Sequence, residues 1–326
     1  MPPEMPEKRS FWVDAYRRFG GVLIGKKEFD IFSKEVLAVM PRCIDWRRRL
    51  HQYPELSFEE YKTTAFLIEE LRKIPGLELQ MPTKTGVVAI LRGAYPGRRI
   101  ALRADIDALP IQEETGLSFA SQVPGVMHAC GHDGHTAMQM AAAALLAQER
   151  EQLHGEVRFI FQHAEELPPG GAVEMAACGV MEGVEEIYGM HLSSAFPTGS
   201  FGIRAGALTS ATDRFDIKIL GKGGHSAFPE TCTDPIVAAA QLITALQTVV
   251  SRNIKATEPA VVSVCMVNAG SAYNIIPGEV SLTGSTRTFS RETRQELPKL
   301  LERLTKGVCE SFGASYEFRF TLGYAS

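Results

Sequence analysis

Apolar positions along the chain change spacing repeatedly, and the changes outline two regions of different rhythm. Residues 1–30 carry proline, glycine and mixed charge without a sustained period and read as an extension outside the core. A helical pattern follows, interrupted at Pro41, resuming through Asp45-Trp-Arg-Arg-Arg-Leu-His51 and ended by Pro54. Ser57-Phe-Glu-Glu60 has the form of a capping box and predicts a helix with Ala65, Leu67, Ile68 and Leu71 on its apolar side. Short apolar runs then predict strands at 86–91, 99–103, 156–161 and 186–190. Helices are expected near 134–149, rich in Ala, Leu and Met and read as buried, and near 172–178. This alternation predicts an α/β domain: a mixed, mostly parallel sheet flanked by helices.

A composition shift at Gly199–Gly206 opens the second rhythm. Strands are expected at 215–220, 261–267, 280–286 and 316–322. One helix is expected at 233–251, with Ile236, Ala240, Ile243, Leu246 and Val250 at intervals of three and four. Another is expected near 290–312, with Pro298 as a candidate kink. The order is βαββαβ, the ferredoxin-like arrangement. The expected division is an extension over 1–30, a catalytic domain over 31–208 and a smaller domain over 209–326.

Bulk properties narrow the partners. At 326 residues the chain has room for two cores, and 45% hydrophobic and 22% charged residues are ordinary for a globular protein. The net charge of −4, with no basic stripe, speaks against nucleic acid. The apolar stretch Ala141–Ala147 is too short to span a bilayer, so no membrane association is expected. The N-terminus lacks the layout of a secretory signal, and the six cysteines are scattered, so a reducing, cytoplasmic setting is expected.

Chemistry concentrates where strands end. Met127-His-Ala-Cys-Gly-His-Asp-Gly-His135 packs imidazoles and a thiol into a loop running into a helix, and that donor set suits zinc or a neighbouring transition metal. Gln162-His-Ala-Glu-Glu166 and Gly189-Met-His-Leu192 each close an apolar run. Cys130, His132, Glu166 and His191 therefore form a candidate metal set drawn from three segments. Neighbouring strand residues point in opposite directions, which leaves Glu165 free for proton transfer beside Glu166 on the metal. Asp105 is read as the acceptor for the free N–H of His132. His128, His135 and His163 are left outside the metal set. His225, in a glycine-rich turn, and Asn274 and Arg287 are generic polar positions when read singly. A cysteine hydrolase using Cys130 with a histidine ranks last, because it leaves the Glu165–Glu166 pair without a task.

Read together, these segments resemble the M20 metallopeptidase and amidohydrolase family, in particular its aminoacylase, hippurate hydrolase and auxin-conjugate hydrolase branch. The matching text includes Trp46-Arg-Arg-Arg-Leu-His-Gln-Tyr-Pro-Glu-Leu56, Arg103-Ala-Asp-Ile-Asp-Ala-Leu-Pro110, His128-Ala-Cys-Gly-His-Asp-Gly-His-Thr136 and Ala164-Glu-Glu166. Met190-His-Leu192, Gly221-Lys-Gly-Gly-His225, Asp234-Pro-Ile236 and Asn274-Ile-Ile-Pro277 continue it. The resemblance implies a hydrolase of N-acyl amino acids holding two divalent ions (Mn, Zn, Co or Ni) on Cys130, His132, Glu166 and His191. Glu165 would serve as general base and acid, and Asp105 would support the ligands. It also implies that 209–326 form a lid pairing two copies into a homodimer. His225 would then steady the oxyanion, with Asn274 and Arg287 on the substrate carboxylate. Two departures accompany it. His163 stands where relatives have proline, and no histidine follows His225, although relatives supply a last metal ligand from a returning segment. The competing expectations are therefore incomplete metal occupancy, or an inactive homologue acting as a dimerisation or binding protein.

Overall fold

The computed structural model describes residues 22–25 and 33–325. Apart from strand β1 (Val22–Gly25), the extension read over residues 1–30 lies outside the described residues. The chain divides into two units, the first closing at Phe201 and the second opening at Gly202.

In the first unit, helix α1 (Lys34–Gln52) starts at Ser33, whose hydroxyl oxygen accepts the Val36 N–H at 3.4 Å. It continues through Pro41 instead of breaking there. Pro41 lies on an exposed stretch, whereas Trp46, Leu50 and His51 are buried further along. An interior proline costs about 3 kcal/mol, and burying Trp46 and Leu50 at about 1.5–3 kcal/mol each offsets it, so tertiary packing wins. Helix α2 (Tyr61–Leu71) has no cap from its N-cap residue Glu60, and the Glu55 carboxylate accepts the Lys62 and Thr63 N–H groups, so the expected capping box does not form. Ser57 Oγ donates to Asp107 Oδ2 at 2.7 Å instead. The buried face of α2 is Thr63, Thr64, Leu67 and Leu71, while Ala65 is exposed.

Strands β2 (Leu77–Gln80), β3 (Val87–Arg92), β4 (Tyr95–Asp105), β5 (His154–Gln162) and β6 (Glu186–Gly189) form one sheet in the order β2-β3-β5-β4-β6. β4 runs parallel to β5 and β6, whereas β2 meets β3, and β3 meets β5, antiparallel. The sheet is mixed, as expected, but only half parallel. A short turn joins β2 to β3 and permits only an antiparallel pair, while β4 reaches β5 through helix α3 (His132–Gln148), long enough for a parallel crossover. Alternate residues serve two cores. Val87, Ala89, Leu91, Phe159 and Phe161 pack with Trp46, Leu67 and Met140. Val88, Ile90 and Ile160 pack with Val180 and with Met175 of α4 (Gly171–Ala177). Burial on both faces explains why β3 reads as an unbroken apolar run and β5 as one interrupted only by Arg158.

The parallel strands end in register. Asp105 lies opposite Gln162 and Arg103 opposite Gly189, so the segments leaving β4, β5 and β6 emerge along one edge. That edge is where α/β sheets gather ligands.

The second unit opens within β7 (Ser200–Ile203). Strands β8 (Ala211–Leu220), β10 (Ala260–Ala269), β12 (Glu279–Thr288) and β13 (Ser315–Leu322) make a sheet ordered β10-β12-β8-β13, antiparallel at every contact. Helices α5 (Pro235–Thr248) and α6 (Arg291–Ser311) supply Leu242, Leu246, Leu297 and Leu301 to the core beneath Phe215, Ile217 and Ile219. α6 contains Pro298 without ending there. Gly284 has to be glycine: a Cβ there would come within 2.1 Å of the Phe215 ring. The buried Asp213 pairs with Arg294 at 2.6 Å and accepts the Gly323 N–H at 2.9 Å, fastening α6 and the chain after β13 to β8. A two-residue ladder joins β9 (Gly224–His225) to β11 (Ile275–Ile276). Among the described residues, no helix is long and apolar enough to cross a membrane.

Candidate metal centre

The segments leaving β4, β5 and β6 meet the N-terminus of α3. Gly131 caps that helix in the left-handed conformation, φ 84°, which divides Cys130 in the loop from His132 in the first turn. Gly134 leaves room for the chain after β6: a Cβ on it would lie 2.4 Å from Leu192 Cδ1. Leu192 docks there and donates its N–H to His135 Nε2 at 2.8 Å. His191 is thereby brought over the loop, with Nε2 3.2 Å from Cys130 Sγ.

His132 is at the centre. Its Nδ1 meets the Asp107 backbone oxygen at 2.9 Å and Oδ1 at 3.2 Å, so Nδ1 carries the proton and Nε2 points inward. Around Nε2 stand Asp105 Oδ2 at 3.7 Å, Glu166 Oε1 at 3.8 Å and Glu165 Oε2 at 3.9 Å. Three groups of ligand-type atoms lie within 4.8 Å of one another: Cys130 with His132 and His191, His132 with Glu165 and Glu166, and Asp105 with His132 and His135. His132 is common to all three, so Cys130 and His191 gather on one side of it and Glu165 and Glu166 on another.

Asp105 requires a correction. Its Oδ1 takes the Nδ1–H of His135 at 2.6 Å and its Oδ2 accepts from Arg103 at 2.7 Å. The partner of the His132 N–H is Asp107. That carboxylate also accepts the Glu166 N–H at 2.9 Å and the Ser57 hydroxyl through Oδ2, so one side chain fixes two ligand segments. Asp105 instead orients His135, which holds Leu192 and through it His191. The spacing carried this signal: Asp105 and Asp107 share one side of an extended segment, and His132 and His135 share one face of a helix.

Electrostatics suit a cation. Burial opposes charging His132, yet its contacts with Asp107 and Cys130 and the nearby Asp105 charge push it up to about 11. Contacts with His132 and His191 hold the Cys130 thiol below its ordinary value against the effect of burial. Burial, then the charges of Glu166 and Asp105, raise Glu165 above the usual carboxylate range. His132 Nε2 and Glu166 Oε1 are buried without a hydrogen-bond partner, which is costly unless a ligand satisfies them. A divalent ion among sulfur, imidazole and carboxylate donors fits these residues.

The other histidines fall outside that set. His128 is buried with both ring nitrogens unpartnered, and burial lowers it to about 4. His163 is also buried, with Nε2 3.1 Å from Glu174 and its ring edge-on to Phe58. His225, Asn274 and Arg287 belong to the second unit. His225 lies opposite Ile275, and the Asn274 carbonyl accepts the Ser226 N–H at 3.1 Å, so these two are neighbours. Arg287 stands on β12 opposite Thr212 and Val261.

A half-parallel α/β sheet whose edge gathers a thiol, imidazoles and paired carboxylates suits a metal-dependent hydrolase. The chain belongs to the peptidase family M20/M25/M40, whose family model matches residues 101–313. It is 54% identical over 281 residues to the N-acyl-L-amino acid amidohydrolase of Geobacillus stearothermophilus, covering 86% of this chain and 76% of that protein. It is 48% identical over 280 residues to the N-acetylcysteine deacetylase of Bacillus subtilis, covering 86% and 73%. The crystal structure of the Bacillus subtilis YXEP protein, a dinuclear metal-binding peptidase of family M20, superposes with a TM-score of 0.76 at 42% identity, covering 89% and 76%.

Proposed function

We propose that this hydrolase removes the acyl group from N-acyl amino acids, with Cys130, His132, Glu166 and His191 holding divalent ions. The observation that carries this reading is the meeting of those side chains, from the N-terminus of α3 and the segments after β5 and β6, about His132, with His132 Nε2 and Glu166 Oε1 left unpartnered. Bound ions of the Mn, Zn, Co or Ni type supply Lewis acidity, which polarises a carbonyl and lowers the pKa of water. Glu165, one residue from Glu166 and more basic than an ordinary glutamate, takes a proton from the attacking water and returns it to the leaving amine. Asp107 and His135 hold the ligand segments in place throughout.

The second unit, in this reading, is a ferredoxin-like lid and dimerisation domain, supported by its strand order and by Val261, Met266 and Val267 exposed on the edge strand β10. His225 of one copy steadies the oxyanion in the site of the other, and Asn274 and Arg287 bind the substrate carboxylate. Six free cysteines fit a reducing, cytoplasmic setting. Purified protein assayed on a panel of N-acetyl amino acids, with chelator and then with added Mn²⁺ or Zn²⁺, tests the reading. Metal-restored hydrolysis is expected; turnover that resists chelation but stops on thiol blocking contradicts it.

A further inference from the structure

Glu60 is fully buried outside the metal cluster and has no part in the mechanism above. Its Oε1 accepts the backbone N–H of Ala164 at 2.7 Å and that of Phe58 at 3.0 Å, and its Oε2 accepts the Thr85 hydroxyl at 2.9 Å. Among the described residues, Phe58 (φ 67°) and Ala164 (φ 46°) are the two non-glycine residues with positive φ. One carboxylate oxygen therefore ties down both left-handed positions. Such conformations disfavour residues with a Cβ and persist only where the surroundings enforce them. Ala164 directly precedes Glu165 and Glu166, and Phe58 lies edge-on to the ring of His163, so the two strained turns are clamped together.

We propose that Glu60 is a positioning residue: its buried carboxylate holds Ala164 in the left-handed turn that presents Glu165 and Glu166 to His132. The role rests on the hydrolase reading given above. Glu60 touches neither substrate nor metal, and what matters is the reach of its oxygen rather than its charge. A glutamine can offer one carbonyl oxygen to both N–H groups while its amide donates to Thr85 Oγ1, because a hydroxyl can reverse its role. An aspartate keeps the charge but withdraws the oxygen by a methylene.

Full-length wild type, E60A, E60Q and E60D are compared by kcat and KM on an N-acetyl amino acid, by the absorption spectrum of the Co²⁺-loaded protein, and by amide hydrogen exchange at Ala164. E60A and E60D are expected to lose about 10–100-fold in kcat, the range seen when groups supporting metal ligands are removed. Their KM should change little, their Co²⁺ bands should shift and exchange at Ala164 should quicken, while E60Q stays near wild type. E60D near wild type with E60Q impaired, or E60A with an unaltered kcat and Co²⁺ spectrum, overturns the proposal. If E60A does not fold, the E60Q and E60D pair decides alone. A wild type without turnover refutes the hydrolase reading, and the Co²⁺ spectra and exchange rates still judge Glu60 separately.

Discussion

The two units support their candidate chemistry differently: the first buries the groups that hold its ligands, although the ligand His191 is itself exposed, and the second buries none of its candidates. In the first, Asp105, Asp107, His132 and His135 are each at most 4% exposed, and every one is held by a neighbour through a defined hydrogen bond. In the second, His225 and Asn274 are exposed and Arg287 is only partly covered. Buried polar groups are costly unless paired, so the first arrangement exists before any substrate arrives and breaks as a unit. Exposed groups carry little such cost, so the second arrangement is free to await a partner or substrate.

Substitutions at the two places should therefore fail differently. The largest effect is expected for Glu165→Gln, which removes the proton carrier and leaves the metal donors intact. Turnover should fall about 10²–10⁴-fold with unchanged metal content by elemental analysis; retained activity contradicts the assignment. His225→Ala should cost about 10²–10³-fold in kcat without altering metal content. Mixing His225→Ala with Glu165→Gln subunits should restore part of the activity if His225 serves a second copy. Absence of rescue in a verified mixed dimer places its action within one chain or nowhere.

Asp107→Ala removes the acceptor shared by His132 and Glu166. Metal affinity, read by competition with a chromophoric chelator, should weaken about 10–100-fold, whereas Arg287→Ala should leave it unchanged. Equal losses in the two variants would erase the contrast between the units. An effect of another kind concerns acid stability. His128 titrates near 6.5 when unfolded and is lowered to about 4 by burial. The folded state thus binds fewer protons between those values: the stability is present above pH 6.5 and is lost as pH falls toward 4, at about 1.4 kcal/mol per pH unit. In His128→Leu, denaturant titrations of the metal-free protein should show a shallower decline across that window.

What the sequence disclosed follows the same divide. Segments whose neighbours dictate one role were legible: the apolar runs of β3 and β5, the Ala-rich α3, and the loop carrying Cys130 and His132. Pro41 and Ser57 misled because local rules were overridden by distant partners, the core around Trp46 in one case and Asp107 in the other. The pairing of Asp107 with His132 and of Asp105 with His135 is signalled only in part by their spacing, since the folded loop decides which imidazole each carboxylate meets. Glu60 reads as the acid of the capping box expected at Ser57, and its actual role is not legible because its partners Thr85 and Ala164 lie far along the chain.

Zinc K-edge absorption on the zinc-loaded protein tests the central claim most directly. Sulfur, imidazole and carboxylate from separate segments should produce a sulfur scatterer at about 2.3 Å beside the lighter atoms, and Cys130→Ser should remove it. A zinc shell of nitrogen and oxygen alone in the wild-type protein would contradict the account.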